Sequence, residues 1–292
     1  MVAFEAAGMD EKVWLADPAT SELWLYKPVT RHQNWAERNL DPVQGENWAE
    51  KITSELARRL GVPAAAIEMA QRLGTPGCIS LNLVPPGWEM QPGTVLLSEI
   101  VPGYDPTPRG GHHGHTLDNI QRVLDGYCAP LGWTRLPAGF NAFDVFAGYV
   151  VFDAWIANRD RHSENWAVLR GPLGGGPPSL SPSYDHASCL GYHLTQRRLE
   201  EIINGRGVGW FATRRDSAYR YEDGMSQTLV EFAHSALRAA SASARDHWLD
   251  RLAAVDSHEW ASIVHATPEM SEVARSFVVE LLETNRRRLL DA

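Results

Sequence analysis

Residues 141–157 constrain this chain most, because Phe143, Phe146, Tyr149, Val150, Val151, Phe152, Trp155 and Ile156 leave the segment apolar on nearly every side. A helix without a polar face must be surrounded by protein, so the sequence requires a sizeable helical body with this segment buried inside it. At 292 residues, 44% of them hydrophobic, the chain is long enough to build that body beside a smaller unit. A polar run, Asn158-Arg159-Asp160-Arg161-His162-Ser163-Glu164-Asn165, follows the helix directly. Beyond it, residues 165–169 read as a strand, 171–178 as a Gly/Pro turn, and 179–184 as the returning segment that ends at Asp185. A rigid mount therefore presents a loop and a hairpin rich in carboxylates and amides.

The N-terminal third has a different texture. Val13-Trp14-Leu15-Ala16-Asp17 and Leu23-Trp24-Leu25-Tyr26-Lys27 are short and aromatic-rich, and read as a β-hairpin with Lys27 at the end of its second strand. Residues 45–60 turn helical, with Trp48, Ile52, Leu56 and Leu60 on one face, Glu46 and Glu50 off it, and Gly61-Val62-Pro63 as the stop. Residues 77–101, broken by Pro85-Pro86-Gly87 and Pro92-Gly93, read as two or three strands, the last spanning 94–100. Pro102 to Pro106 reads as a connector, and helical patterns dominate thereafter. The expected architecture is α+β and bilobal, with a β-rich N-lobe over residues 1–101 and a larger, mainly helical C-lobe over 102–292.

Composition excludes several classes. A net charge of −9 gives no uniform basic field for gripping nucleic acid. Cys78, Cys128 and Cys189 are odd in number and widely spaced, which argues against a disulfide framework or a zinc knuckle. No basic leader with an apolar run and no spanning apolar stretch is visible, so a cytoplasmic protein is expected, with no membrane partner. No repeat period indicates a solenoid.

The polar loop carries the chemistry. Asp160 and Asn165 have the D-x-x-x-x-N spacing of a kinase catalytic loop, in which the acid receives the acceptor hydroxyl and the amide holds metal. Asp185, across the hairpin, is the expected second Mg²⁺ ligand, since a hard cation prefers carboxylate and amide oxygens. A lone D-x-x-x-x-N arises by chance, and Asp160 with Arg159 and Arg161 has the bland reading of a surface ion-pair cluster. The conjunction with a lysine strand, a glutamate helix and a following acid is what favours phosphoryl transfer.

The run from Asn158 to Asn165 resembles the D-R-H-x-x-N loop of HipA-like toxin kinases and of phosphatidylinositol 3-/4-kinase-like enzymes, and Tyr184-Asp185-His186-Ala187 resembles their metal-binding acid. That resemblance covers most of residues 8–190. It implies a protein kinase-like fold that uses ATP and Mg²⁺, with Lys27 on the α/β-phosphates and Glu50 as its ion-pair partner, Glu46 and Glu55 being alternatives. It places the inter-lobe hinge at Ser98-Glu99-Ile100-Val101, so that Glu99 and Val101 border the adenine, and a phosphate loop between Phe4 and Lys12, where only Gly8 stands for the usual glycines. His162 has two readings, a brace for the loop or a group acting on the γ-phosphate. Asp153 is a candidate anchor for the loop.

The resemblance implies transfer of phosphate to a hydroxyl acceptor, expected to be Ser or Thr of a protein, and a small antitoxin-like partner is part of the same expectation. A lipid or other small-molecule kinase is the alternative within the class, and a nucleotide-binding pseudokinase regulator the alternative outside it. Two further features have competing readings. The glycine- and histidine-rich residues 110–115 read as a mobile loop or a metal site. Arg197-Arg198, Arg206 and Arg214-Arg215 read as solvated faces or as recognition of an acidic or phosphate-bearing partner. Phe277 and Leu281 belong to a closing helix whose Arg286-Arg287-Arg288 suits a helix C-terminus.

Overall fold

The computed structural model describes residues 3–4, 12–30, 44–106, 112–214 and 217–292. The N-terminal hairpin forms as its alternation requires. Strand β1 (Ala3–Phe4) pairs with β2 (Val13–Ala16), and β2 with β3 (Leu23–Pro28), with Val13 opposite Tyr26. Helix α1 (Glu46–Leu60) follows and buries Trp48, Ile52, Leu56 and Leu60, the stripe read from the sequence. Gly61 ends it in the left-handed conformation at φ +88°, where a residue with a Cβ is strained.

Strands β4 (Ile67–Arg72) and β5 (Thr75–Leu81) complete an antiparallel sheet of order β1-β2-β3-β5-β4, with α1 packed across β4 and β5. Lys27 on β3 lies opposite Cys78 on β5. Its neighbour Gly77 has no room for a side chain, since a Cβ there would stand 2.2 Å from the Lys27 carbonyl oxygen. This close strand approach fixes the end of β3 from which Lys27 projects.

The next elements correct the sequence reading. Strand β6 (Glu89–Pro92) pairs not with the first sheet but with β7 (Ala167–Arg170), which in turn pairs with β8 (Ser179–Leu180). Residues 94–100, expected as a strand, lie in helix α2 (Gly93–Ile100). A short apolar run cannot distinguish strand from helix by period alone. What decides is burial of Leu96 and Leu97 in the main core, which gathers α1 and the helices that follow. The first sheet ends at Leu81, and residues 82–88 lead from it to β6 in the second sheet.

The large lobe is helical. Helices α3 (Leu117–Leu124) and α4 (Ala142–Ile156) come first, and every residue of α4 is buried. Asn141 and Asp144 form a reciprocal capping box at its start. Helices α7 (Leu229–Ala239), α8 (Ala242–Ala254) and α10 (Glu272–Leu290) pack on α4, and α5 (Gln196–Asn204), α6 (Gly207–Arg214) and α9 (Ser257–Ala266) pack on α10. Gly148 lets α8 lie close, for a Cβ there would fall 2.3 Å from the Trp248 indole. Helix α10 buries Phe277 and Leu281 as expected. Arg286 reaches away from its own helix end and donates to the carbonyls of Leu252 and Ala253 at the end of α8, while its guanidinium stacks on Trp260.

Candidate active site

Two charged assemblies meet between the sheet and the helical lobe. In the first, Lys27 Nζ donates to Glu50 Oε1 at 2.9 Å and to Asp185 Oδ1 at 3.0 Å. Glu50 is buried at 1% exposure and also accepts the amide of His186 at 3.2 Å, so α1 is joined to the Asp185 turn through backbone as well as through Lys27. Burial opposes the Lys27 charge, but Asp185 and Glu50 outweigh it and hold the ammonium well above its usual range. Lys27, with Lys12 adding to the field, holds the Asp185 carboxyl well below the usual carboxylate range despite its burial. Asp185 sits at φ +60°, a left-handed conformation that a non-glycine residue adopts at a cost of about 1–3 kcal/mol where surrounding structure fixes it.

The second assembly is the loop after α4. Asp153, at 3% exposure on α4, accepts from Arg161 Nε and from Arg161 Nη2 at 2.7 Å, and from the Asn158 side-chain amide at 2.8 Å. Arg161 also donates to the Asn165 carbonyl at 3.0 Å and to Ser183 Oγ at 2.9 Å, and Ser183 is hydrogen-bonded to His186 Nε2 at 2.8 Å. One buried guanidinium thus joins the mounting helix, the loop and the Asp185 turn. Asp153 is the loop anchor. Arg161, at 2% exposure, is no part of a surface ion-pair cluster.

On this frame the Asn165 side-chain amide donates to the Asp160 carbonyl at 2.8 Å, and the Asp160 amide donates to Asn158 Oδ1 at 3.1 Å. His162 Nδ1 accepts the Glu164 amide at 3.2 Å, a contact within the loop. The N-terminus of α2 supports the same loop, with Thr94 N donating to the Ser163 carbonyl at 2.9 Å. The Asp160 carboxylate is held by Arg220, whose Nε and Nη2 both reach Oδ1, at 2.9 and 2.5 Å. Among the described residues no protein donor reaches Asp160 Oδ2 or Asn165 Oδ1.

Arg220 was not foreseen, and neither was the way it is fixed. His115 Nδ1 donates to the Arg220 carbonyl at 2.8 Å, its Nε2 accepts from Trp166 Nε1 at 3.1 Å, and its ring stacks on Tyr221 at 4.6 Å. Burial pushes His115 down to about 3, so it is neutral and fully hydrogen-bonded. His115 is therefore packed structure, not part of a mobile loop. Gly110 and Gly111 of the same run lie outside the described residues, as do the expected phosphate loop around Gly8, Arg215 and the side chain of Arg214.

Residues 98–101, where the resemblance puts the hinge, are the last turn and cap of α2. Glu99 is exposed on α2, and Val101 caps that helix and is buried in the main core. Leu83, in the segment that follows β5, and Tyr184 each pack against the cluster of Ala65, Ile67 and Cys78. Burial pushes the Cys78 thiol up to about 12, consistent with an inert apolar wall.

Comparison with solved structures gives a match over nearly the whole molecule. The crystal structure of the Helicobacter pylori proinflammatory kinase CtkA aligns with a TM-score of 0.69 at 16% identity, covering 96% of this chain and 91% of that one. The fold is that of a kinase. The kinase-like architecture implied by the resemblance to HipA-like enzymes is therefore present. HipA of Shewanella oneidensis, solved with HipB and operator DNA, aligns at 12% identity and a TM-score of 0.49, covering 99% of this chain and 67% of its own. No family model matches the chain, and no curated protein sequence does.

The donors suit Mg²⁺. Among the described residues no three His, Cys, Asp or Glu side chains gather into a metal cage. The Asp185 carboxylate and the Asn165 amide oxygen are the donor types that Mg²⁺ takes, commonly one or two protein oxygens together with substrate phosphates.

Proposed function

We propose that this chain is an ATP-dependent phosphotransferase that moves the γ-phosphoryl group to a hydroxyl, that of Ser or Thr in a protein. The observation that carries this reading is the placement of Lys27 between Glu50 and Asp185, with Arg161 joining the Asp185 turn to the loop of Asp160 and Asn165. Each requirement of phosphoryl transfer then has a residue. Lys27, aimed by Glu50, meets the phosphates. Asp185 and Asn165 hold Mg²⁺, which when bound neutralises charge developing on the phosphate oxygens.

Asp160 receives the acceptor. Arg220 fixes one carboxylate oxygen and leaves Oδ2 for the hydroxyl, orienting it for in-line attack. The acceptor oxygen bonds to the γ-phosphorus, the bond from that phosphorus to the β,γ-bridging oxygen breaks with its electron pair leaving on ADP, and the hydroxyl proton passes to Asp160. The adenine is assigned to the wall formed by Leu83, Ile67 and Cys78, beside the segment at residues 82–88.

Among the described residues no helix is long and apolar enough to cross a membrane. A cytoplasmic site of action fits this reading. The deciding experiment is transfer from γ-labelled ATP with Mg²⁺ by the wild type, Asp160→Asn and Asp185→Asn, with phosphosites located by mass spectrometry.

A second reading, a nucleotide-binding regulator without transfer, is favoured by one contact. Arg220 places two donors on the very carboxylate that must take the proton. ATP binding with no label on any acceptor, and no gain on releasing Asp160 through Arg220→Ala, would support it.

A further inference from the structure

Beside Asp160 lies a cavity of about 540 Å³, bordered by Arg159, Arg198, Arg220, Phe211 and Tyr219. None of Lys27, Glu50, Asn165 or Asp185 lines it, so it is separate from the phosphate-binding assembly yet reaches the residue that receives the hydroxyl. Its volume lies in the range of ligand pockets, enough for a few side chains of an inserted segment.

The charges around it do not balance. Arg220 is matched by Asp160, and Arg198 shares Glu201 with Arg197 at 2.9 and 3.3 Å in an exposed cluster. Arg159 pairs with no carboxylate among the described residues. Its guanidinium lies 5.8 Å from the centre of the Tyr219 ring, and that of Arg220 lies 5.0 Å from the same ring. Two cations thus crowd one aromatic ring, in a chain whose net charge is −9. The positive patch is local, and His115 and Tyr221 fix the backbone that carries Arg220. Guanidinium groups over an aromatic floor are suited to carboxylate and phosphate, which they bind through paired donors.

We propose that this cavity is the acceptor site and that it selects a Ser or Thr hydroxyl on an acidic or phosphorylated peptide segment. Arg159 and Arg198 grip the flanking anion while Asp160 Oδ2 takes the hydroxyl. The assignment rests on the phosphotransferase reading above. A peptide is favoured over an anionic lipid because the cations line a recess rather than a broad face, and the molecule's net negative charge opposes approach to an anionic bilayer.

The test uses the full chain with ATP and Mg²⁺ on matched Ser peptides flanked by Asp and Glu, by phosphoserine, by neutral residues or by Lys, and on phosphatidylinositol vesicles. Fluorescence anisotropy of the same labelled peptides in ADP and Mg²⁺ gives binding independently of turnover. The expected result is a kcat/KM at least about tenfold higher for the anionic peptides than for the neutral one. Arg159→Glu combined with Arg198→Glu should abolish or invert that ratio, and Arg159→Gln, the milder change if the pair fails to fold, should reduce it. Anisotropy should show the same order, weakening with salt.

Equal or better use of neutral or basic peptides would overturn the inference and leave the phosphotransferase reading standing, whereas label entering only the vesicles would overturn the inference and move the acceptor from protein to lipid. Anion-selective binding without any transfer would keep the anion site and remove the transferase. Neither selective binding nor transfer would remove both.

Discussion

Arg161 and Asp153 form a buried ion pair that fastens the loop of Asp160 to the helix before it, with Arg161 extending the link to Asn165 and Ser183. Two charges out of water persist only when their remaining donors and acceptors are satisfied, and Asn158, Asn165 and Ser183 do this. Removing one partner strands the other.

Arg161→Met should therefore destabilise the fold by about 3–5 kcal/mol, measured as a shift in urea midpoint. Asp153→Leu combined with Arg161→Met should recover much of that stability while phosphotransfer stays lost. Recovery of activity together with stability would show that the pair only packs the core.

Glu50→Gln keeps an acceptor near Lys27 Nζ and the side-chain volume, but removes the charge that aims the ammonium. Transfer should fall by about 10²–10³, the usual loss on removing one electrostatic contact to the reacting group, while thermal stability changes little. An unchanged rate in Glu50→Gln, with a large loss in Glu46→Gln or Glu55→Gln, would reassign the pair. Glu46 is engaged with Thr30, and Glu55 with Lys51 and Arg58, which argues against either.

Acid should unfold the protein through His115. Burial holds its folded-state value at about 3, whereas an unfolded histidine titrates near about 6.5, so between these values only the unfolded chain takes the proton. Stability therefore falls as pH drops through that window, by up to about 1.4 kcal/mol per pH unit for this one group. Asp185 adds in the same direction at lower pH, because its carboxyl is held below the usual range and the stabilisation is lost as it protonates. His115→Phe should lower stability at pH 7 but give a shallower decline of urea midpoint from pH 6.5 to 4. An unchanged slope would contradict the assignment.

The nucleotide should feel the segment at residues 82–88, not helix α2. Leu83→Ala is expected to raise the KM for ATP by about tenfold through lost apolar contact, and Glu99→Ala to leave it unchanged. The reverse pattern would put the hinge at residues 98–101, as the resemblance implies.

What was legible in the sequence was local. The β2–β3 hairpin, the buried stripe of α1, the all-apolar α4 and the spacing of Asp160, Asn165 and Asp185 are patterns within a few turns or strands of chain. Lys27 and Glu50 were readable through the resemblance, and they do meet. Residues 94–100 misled because Leu96 and Leu97 are apolar neighbours that satisfy either period, and only their burial in the main core selects the helix.

The remaining misses were long-range. Arg161 is adjacent to Asp160 and flanked by polar residues, so nothing in the sequence marks it as buried until Asp153 and Ser183 close around it. Arg220 lies far along the chain in a segment without a motif, and reaches Asp160 only because His115 and Tyr221 hold it there. A histidine in a glycine-rich run resembles a surface feature until its two ring nitrogens are seen to have partners.

The most direct test of the account is phosphoryl transfer from γ-labelled ATP by the wild type and Asp160→Asn, with nucleotide affinity measured on both. The account predicts label on a Ser or Thr acceptor with the wild type, and a loss of about 10²–10⁴-fold in Asp160→Asn with nucleotide affinity retained. Equal transfer by the two proteins would contradict it.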